Sequence, residues 1–334
     1  MGVRETLAAA AAVAAVAAGI GSYVLLAGHG DRLTHRPVPA PPTPTRSPTP
    51  SLNPLTGKGP GGHVLAVKID NVGMAQDEQA GLNSADIVYV IQVEGGLSRY
   101  LAIFDSSNAP AEVGPVRSAR QTDIPLLAAY GRVGLAYSGA IPGLLPELAA
   151  ANLENITPDT APDQFTNDGS SPTYIDPRKI FAGYRHLART KYVGFNFGAP
   201  PAGGRRVTSV SVDMPSAAFT FTASGTQWLV SVDGSPSETI NQGRTSTDNV
   251  IVQYVKIVPG QFTDHNAAEP ANEVFSETTG SGIADFYRDG RIWHGRWSKS
   301  TATAATAYTV NGKPMELAPG RTWIVLAAQA DGIS

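Results

Sequence analysis

The sequence predicts an α+β protein: an N-terminal α/β domain with a mixed sheet over residues 61–200, then a mainly antiparallel β domain over 205–330. Three observations predict it. In the first half, short apolar runs rich in β-branched residues alternate with helical patterns. In the second half, Asp233-Gly234, Asp289-Gly290 and Asn311-Gly312 each sit between strand-like runs, the pattern of two-residue hairpins. Between the halves, Pro200-Pro-Ala-Gly-Gly204 reads as a boundary.

Ahead of the folded part, two segments stand apart. Residues 1–28 contain an uncharged stretch from Leu7 to Ala27, close to the ~20 residues that span a bilayer as a helix. Arg4 precedes it, but Glu5 offsets that charge. Both a retained signal anchor and a cleaved signal peptide fit this pattern. The length of the apolar run, beyond the usual ~7–15 residues of a signal-peptide core, favours the anchor. Either reading places the rest of the chain outside the cytoplasmic membrane, anchored to it or, after cleavage, secreted. Residues 29–60 are rich in Pro, Thr and Ser and read as an extended tether. At roughly 3.1 Å per residue, Pro37 to Pro54 would reach about 50 Å.

Within the folded part, Val64–Asp70, Ile87–Val93 and Tyr100–Phe104 have strand length and are bounded by Gly, Asp, Asn or Ser. Helical patterns run from Ser118 to Tyr130, over Gly143–Ala151 and over Pro177–Leu187. Ser118 with Gln121 three residues on forms a capping box, which predicts a helix start at Ser118. Pro125 shortens or kinks that helix. Gln227–Val232, Asn249–Val258 and Arg291–His294 read as strands of the second half.

Several function classes lose support from composition. A net charge of −3 gives no electrostatic footing for nucleic acid. The absence of cysteine removes disulfides, thiolate nucleophiles, Cys-based metal sites and a lipid-modified N-terminal Cys. The histidines at 29, 35, 63, 186, 265 and 294 show no metal-ligand spacing. The best metal guess, His265 with Asp264, Glu269 and Glu273, reads as a solvated loop, so no metal site and no cofactor is expected. The tryptophans at 228, 293, 297 and 323 read as sheet core rather than as exposed stacking platforms for sugars. Trp293 and Trp297 share a strand face.

The most informative segment is Gly114-Pro-Val-Arg-Ser-Ala-Arg120. Arg117 and Arg120 flank the expected helix start, which already carries partial positive charge. Something negative must sit there: a bound anion or a carboxylate of the protein. Asp70-Asn71 ends one strand, Glu94-Gly95-Gly96 follows the next, and Ser98-Arg99 opens a third. Ligands of α/β sheets bind beyond the C-terminal strand ends. If those ends cluster, Asp70, Asn71, Glu94, Arg99, Arg117, Ser118 and Arg120 would line one cleft. Two outcomes follow from that clustering. The carboxylates satisfy the arginines in an internal network, or the arginines take an anionic envelope ligand such as a phosphate- or carboxylate-bearing wall polymer. A third, a wall-active hydrolase or transferase, would use Glu94 or Asp70 as general acid or base. Ser118 is not set in a Gly-x-Ser-x-Gly elbow and is a poor nucleophile candidate.

These same motifs, with Gly81–Tyr89, Asn249–Tyr254, Tyr287–Trp297 and Pro319–Ile324, resemble the YerB-like lipoproteins of bacteria over about residues 60–328. The resemblance implies a two-domain extracytoplasmic protein on a membrane anchor and assigns no activity. This chain departs from it in two places. An apolar segment stands where such relatives carry a lipid-modified Cys. Ser171-Pro172-Thr173-Tyr174 stands where they show a Pro-His-Asn or Pro-Tyr-Asn stretch. The expected job is non-catalytic binding or scaffolding at the cell envelope, with an anionic wall polymer or an envelope protein as partner.

Overall fold

Val64–Asp70 (β1), Ile87–Gln92 (β2) and Ser98–Asp105 (β3) are buried at nearly every position. Strands covered on both faces read as continuous apolar runs rather than as alternation. The computed structural model describes residues 52–264 and 271–329. The apolar run at 7–27, nearly all of the tether, and His265 and Glu269 of the metal guess lie outside these residues.

β3 lies between β1 and β2 and is antiparallel to both. Val133–Ala136 (β4) runs parallel to β1, and Leu153–Ile156 (β5) parallel to β4. The second half supplies three strands of a separate antiparallel layer, Ser209–Met214 (β6), Ala217–Ser224 (β7) and Gln227–Val232 (β8). It also supplies Asn249–Val255 (β9), a ribbon of Ile257–Asp264 (β10) and Ala271–Ser276 (β11), and then Gly280–Arg288 (β12), Arg291–Lys299 (β13), Ala307–Val310 (β14) and Thr322–Ala328 (β15). The main sheet has twelve strands in the order β14-β13-β12-β9-β15-β2-β3-β1-β4-β5, completed by two-residue pieces at Lys313–Pro314 and Arg205–Arg206. One sheet thus runs through both halves. β15, at the end of the described chain, sits parallel between β9 and β2 and joins them.

Each face of this sheet carries its own core. On one face, Leu65, Val67 and Ile69 pack with Phe219, Phe221, Trp228 and Val230 of the second layer. Tyr100 stands edge-on to Trp323 at 5.2 Å between ring centres, and Phe221 to Trp323 at 5.9 Å. Such pairs add about 0.5–1.5 kcal/mol beyond area burial. On the other face, Val64 and Ala66 pack with Leu126 and Leu127 of helix Asp123–Leu127 (α1) and Leu148 of Leu145–Ala150 (α2). Pro177–Gly183 (α3) joins the first core through Ile180 and Phe181. All four tryptophans are buried, as the core reading expects.

The three predicted hairpins form. Asp233, Asp289 and Asn311 take φ of 51°, 51° and 50°, with the following glycines also positive. This is the mirror-image turn that matches strand twist, and Asp-Gly and Asn-Gly supply it at low steric cost.

Two expectations need correction. The helix does not begin at Ser118. It begins at Asp123, and the capping box does not form. The backbone of 115–119 is used elsewhere: Asp70 N donates to Pro115 O, Arg117 N to Lys68 O and Ala119 N to Gly139 O. Long-range pairing outcompetes the local cap there. Gln121 N instead donates to Glu273 of β11 at 2.8 Å, and Gln121 Oε1 accepts from Gln261 N. Pro125 does yield a short helix. As its third residue it sits where backbone N–H groups have no helical partner in any case. The second correction is at the tether's end. The fold takes in residues before 61, with Leu55 fully buried and Asn53 2% exposed. Asn53 Oδ1 accepts from Leu55 N, a local turn that returns the chain to the core.

Candidate functional site

β1, β2, β4, β5, β9 and β15 all point the same way, so their C-terminal ends share one edge of the sheet. Asp70 closes β1 there, directly opposite Arg99 at the start of β3. Glu94 lies in the turn after β2, and the 113–120 segment crosses the edge. The structure therefore brings Asp70, Glu94, Arg99, Arg117 and Arg120 together.

Within the cluster, the charges are paired unevenly. Arg120 grips Glu94 through two nitrogens, with Nε at 2.7 Å from Oε1 and Nη2 at 2.8 Å from Oε2. The Arg120 side chain is only 6% exposed. Burial works to raise the Glu94 carboxyl, but the hydrogen bonds and charge of Arg120 outweigh it and hold it below the usual carboxylate range. Beneath this pair, Lys68 Nζ donates to Asp123 Oδ1 at 2.7 Å, both side chains being wholly buried. Asp123 Oδ2 accepts from Arg120 N at 2.7 Å, so one carboxylate both neutralises Lys68 and fixes the start of α1. Burial pulls Lys68 below the ordinary lysine range; Asp123 opposes that, while Arg99 and Arg120 add to it.

Arg99 and Arg117 share what remains. Arg117 Nε is 3.1 Å from Asp70 Oδ2, close in charge but without hydrogen-bond alignment. Arg99 Nε is 4.0 Å from Asp70 Oδ1 and has no hydrogen-bond partner, although its Nη1 donates to Ser118 O at 3.4 Å. Burial, then repulsion from Arg120, brings Arg99 down to about 10, with Asp70 opposing; it stays charged at neutral pH. Two guanidiniums thus draw on one carboxylate. The Arg117 side chain is 40% exposed and reaches solvent.

Asn71 and Ser118 play lesser parts. Asn71 Nδ2 donates to Ser98 Oγ and its Oδ1 accepts from Gln79, tying the loop together internally. Ser118 is half-buried and offers its backbone oxygen to Arg99. Three members were not anticipated here. Glu273, named only in the metal guess, is wholly buried; its Oε1 lies 3.9 Å from Arg120 Nε, and burial pushes its carboxyl up to about 7. Lys68 and Asp123 went unremarked. The signal for Lys68 was present: a charged residue inside a run apolar on both faces must find a partner.

The family models for the protein of unknown function DUF3048 match residues 55–192 with the N-terminal domain and 208–324 with the C-terminal domain. A Bacillus subtilis (strain 168) protein named "Putative lipoprotein YerB" is 26% identical over 288 residues, covering 81% of this chain and 82% of that protein. The crystal structure of YerB protein from Bacillus subtilis matches with a TM-score of 0.69 at 21% identity, over 85% of this chain and 98% of that one, a likeness of fold. With both family models matched in order over most of its length, the chain belongs to the DUF3048 family, in which the YerB-like resemblance had placed it.

Proposed function

We propose that this protein binds an anionic polymer of the cell envelope, non-catalytically, while held outside the cytoplasmic membrane by its N-terminal apolar segment. One observation carries the reading: Arg99 and Arg117 share the single carboxylate of Asp70, and Arg99 Nε has no hydrogen-bond partner. A phosphate or carboxylate beside the exposed Arg117 would complete that pairing, because guanidinium forks suit both groups. The lipoprotein name of the similar B. subtilis protein supports the extracytoplasmic location, with the apolar segment standing where a lipid anchor would. The hydrolase or transferase reading has less support. Glu94 is gripped by Arg120, and Asp70 accepts from Asn71 N at 2.9 Å besides facing two arginines. Neither carboxylate is left to move a proton.

The test is co-sedimentation of the detergent-solubilised full chain with isolated cell-wall sacculi. Wild type is expected to sediment at low salt and release at high salt. Arg117→Ala, which removes a half-exposed side chain, is expected to fold and lose most of that binding. Undiminished binding by a folded Arg117→Ala protein would refute the assignment.

A further inference from the structure

A cavity of about 500 Å³, lined by α2 and β5, reaches the same edge of the sheet as the arginines. Tyr137, Ser138 and Gly139 follow β4 and Thr157 follows β5; together they line its end there. Ser138 N donates to Arg117 O at 3.2 Å and Ala119 N to Gly139 O at 2.9 Å. The segment that carries Arg117 and Ser118 is thus laced to the cavity wall. A Cβ built on Gly139 would stand 3.9 Å from Ser118 Oγ. The volume falls in the ~300–1,000 Å³ range of small-molecule sites, and the place, beyond the ends of parallel strands, is where α/β sheets take ligands.

Two polar groups of this cavity lack partners. Tyr137 is 3% exposed, yet no described residue hydrogen-bonds its hydroxyl. Burial, then the charge of Asp159 on the same cavity, holds that hydroxyl above the ordinary tyrosine range, so it stays a neutral donor. Asn155 Nδ2 donates to Leu148 O at 2.8 Å, while its Oδ1 is buried and accepts nothing. Buried polar groups are nearly always paired, so a spare donor and a spare acceptor in one cavity point to a ligand that both accepts and donates. A hydroxyl does both. Arg132 and Glu154 pair with each other at 2.8 Å and leave little net charge for an ion. Leu145, Ala149 and Leu153 give the cavity an apolar side. Apolar C–H faces with a rim of hydroxyls are the chemistry of a pyranose ring.

We propose that this cavity is a sugar subsite, in which a glycosyl unit of the anionic polymer sits while a neighbouring phosphate faces Arg117. The proposal rests on the envelope-anion reading and narrows it from any anionic polymer to one that carries sugar. The Tyr137 hydroxyl donates to a sugar oxygen, and Asn155 Oδ1 accepts from a sugar hydroxyl.

The experiment is calorimetric titration of the full chain in a sugar-free polyoxyethylene detergent at pH 7.5. Two probes are compared: poly(glycerol phosphate) and the same polymer bearing glucosyl substituents. Wild type is expected to bind the glucosylated polymer roughly tenfold tighter or better. Ala149→Trp fills the cavity from an exposed position of α2. It is expected to fold, to bind the unsubstituted polymer as wild type does and to lose the glucosyl preference. Tyr137→Phe removes only the unpaired hydroxyl and is expected to cut the preference roughly threefold or more. Equal wild-type affinity for the two polymers would overturn the sugar subsite alone. Absence of binding to either polymer would overturn the envelope-anion reading and the subsite with it. A glucosyl preference kept in full by both folded variants would refute this cavity as its seat. Should Ala149→Trp not fold, Tyr137→Phe decides.

Discussion

The two edges of the main sheet bury the same kind of group and treat it in opposite ways. At the C-terminal edge, Asp70, Glu94, Asp123 and Glu273 lie among Lys68, Arg99, Arg117 and Arg120, and each acid has a cation within 4.0 Å. At the other edge, Asp86 and Asp105 lie against each other, with Asn53 and the Ser107 N–H donating to Asp105 and no cation within 4.0 Å among the described residues. The first edge is an ion-pair network that runs short of acceptors at Arg99 and Arg117. The second is a pair of acids held by neutral groups, where burial and the neighbouring Asp105 push the Asp86 carboxyl well above the ordinary carboxylate range. A buried acid therefore marks different chemistry according to what the fold supplies around it, and the residue type alone does not distinguish the cases.

The sharpest way to break this contrast is to remove a cation from the ion-pair network. Lys68→Ala should cost about 3–5 kcal/mol in urea unfolding, because it strands the buried Asp123 carboxylate. A loss under about 1 kcal/mol would mean that Lys68 and Asp123 are not the buried pair described.

Glu273 offers the next largest effect. Its carboxyl rises from an ordinary 4.5 to about 7 in the fold, so the folded state holds a proton that the unfolded chain releases. That contribution is present at low pH and is lost as pH rises from 4.5 through about 7. The slope should reach ~1.4 kcal/mol per pH unit at most. Glu273→Gln should flatten this part of the stability profile; an unchanged profile would remove Glu273 from the account.

Smaller effects belong to the edge residues left open. Asp86→Asn should change stability by no more than ~1 kcal/mol, because the amide keeps a donor toward Asp105. Arg117→Ala should lie within about 0.5 kcal/mol of wild type, as expected for a half-exposed side chain. Denaturant midpoints measured side by side would rank the four variants, and a different order would upset the distinction between the edges.

Much of the fold was legible because its signals are local. The Asp-Gly and Asn-Gly pairs dictate positive φ at their own positions and little else can override them. The apolar runs at 64–70 and 87–93 announced fully buried strands. The helix at Ser118 misled because its capping residues belong to long-range pairs, with Gly139 and Glu273, that no short window contains. The arginines were legible as needing acids, and Glu94 and Asp70 were the right ones. The deeper pair, Lys68 with Asp123, joins residues 55 apart in sequence. Asp86 and Asp105 become neighbours only through the β2–β3 register, so nothing in the linear sequence singled them out.

The most direct test of the binding account is calorimetric titration of the full chain with soluble poly(glycerol phosphate), comparing Arg117→Ala with Arg178→Ala. Both arginines reach solvent, but Arg178 pairs with Asp176 at the start of α3 rather than with a member of the cluster. The account predicts at least tenfold weaker binding for Arg117→Ala and wild-type binding for Arg178→Ala. Equal weakening in both would reduce the interaction to general charge attraction and contradict a site at the C-terminal edge of the sheet.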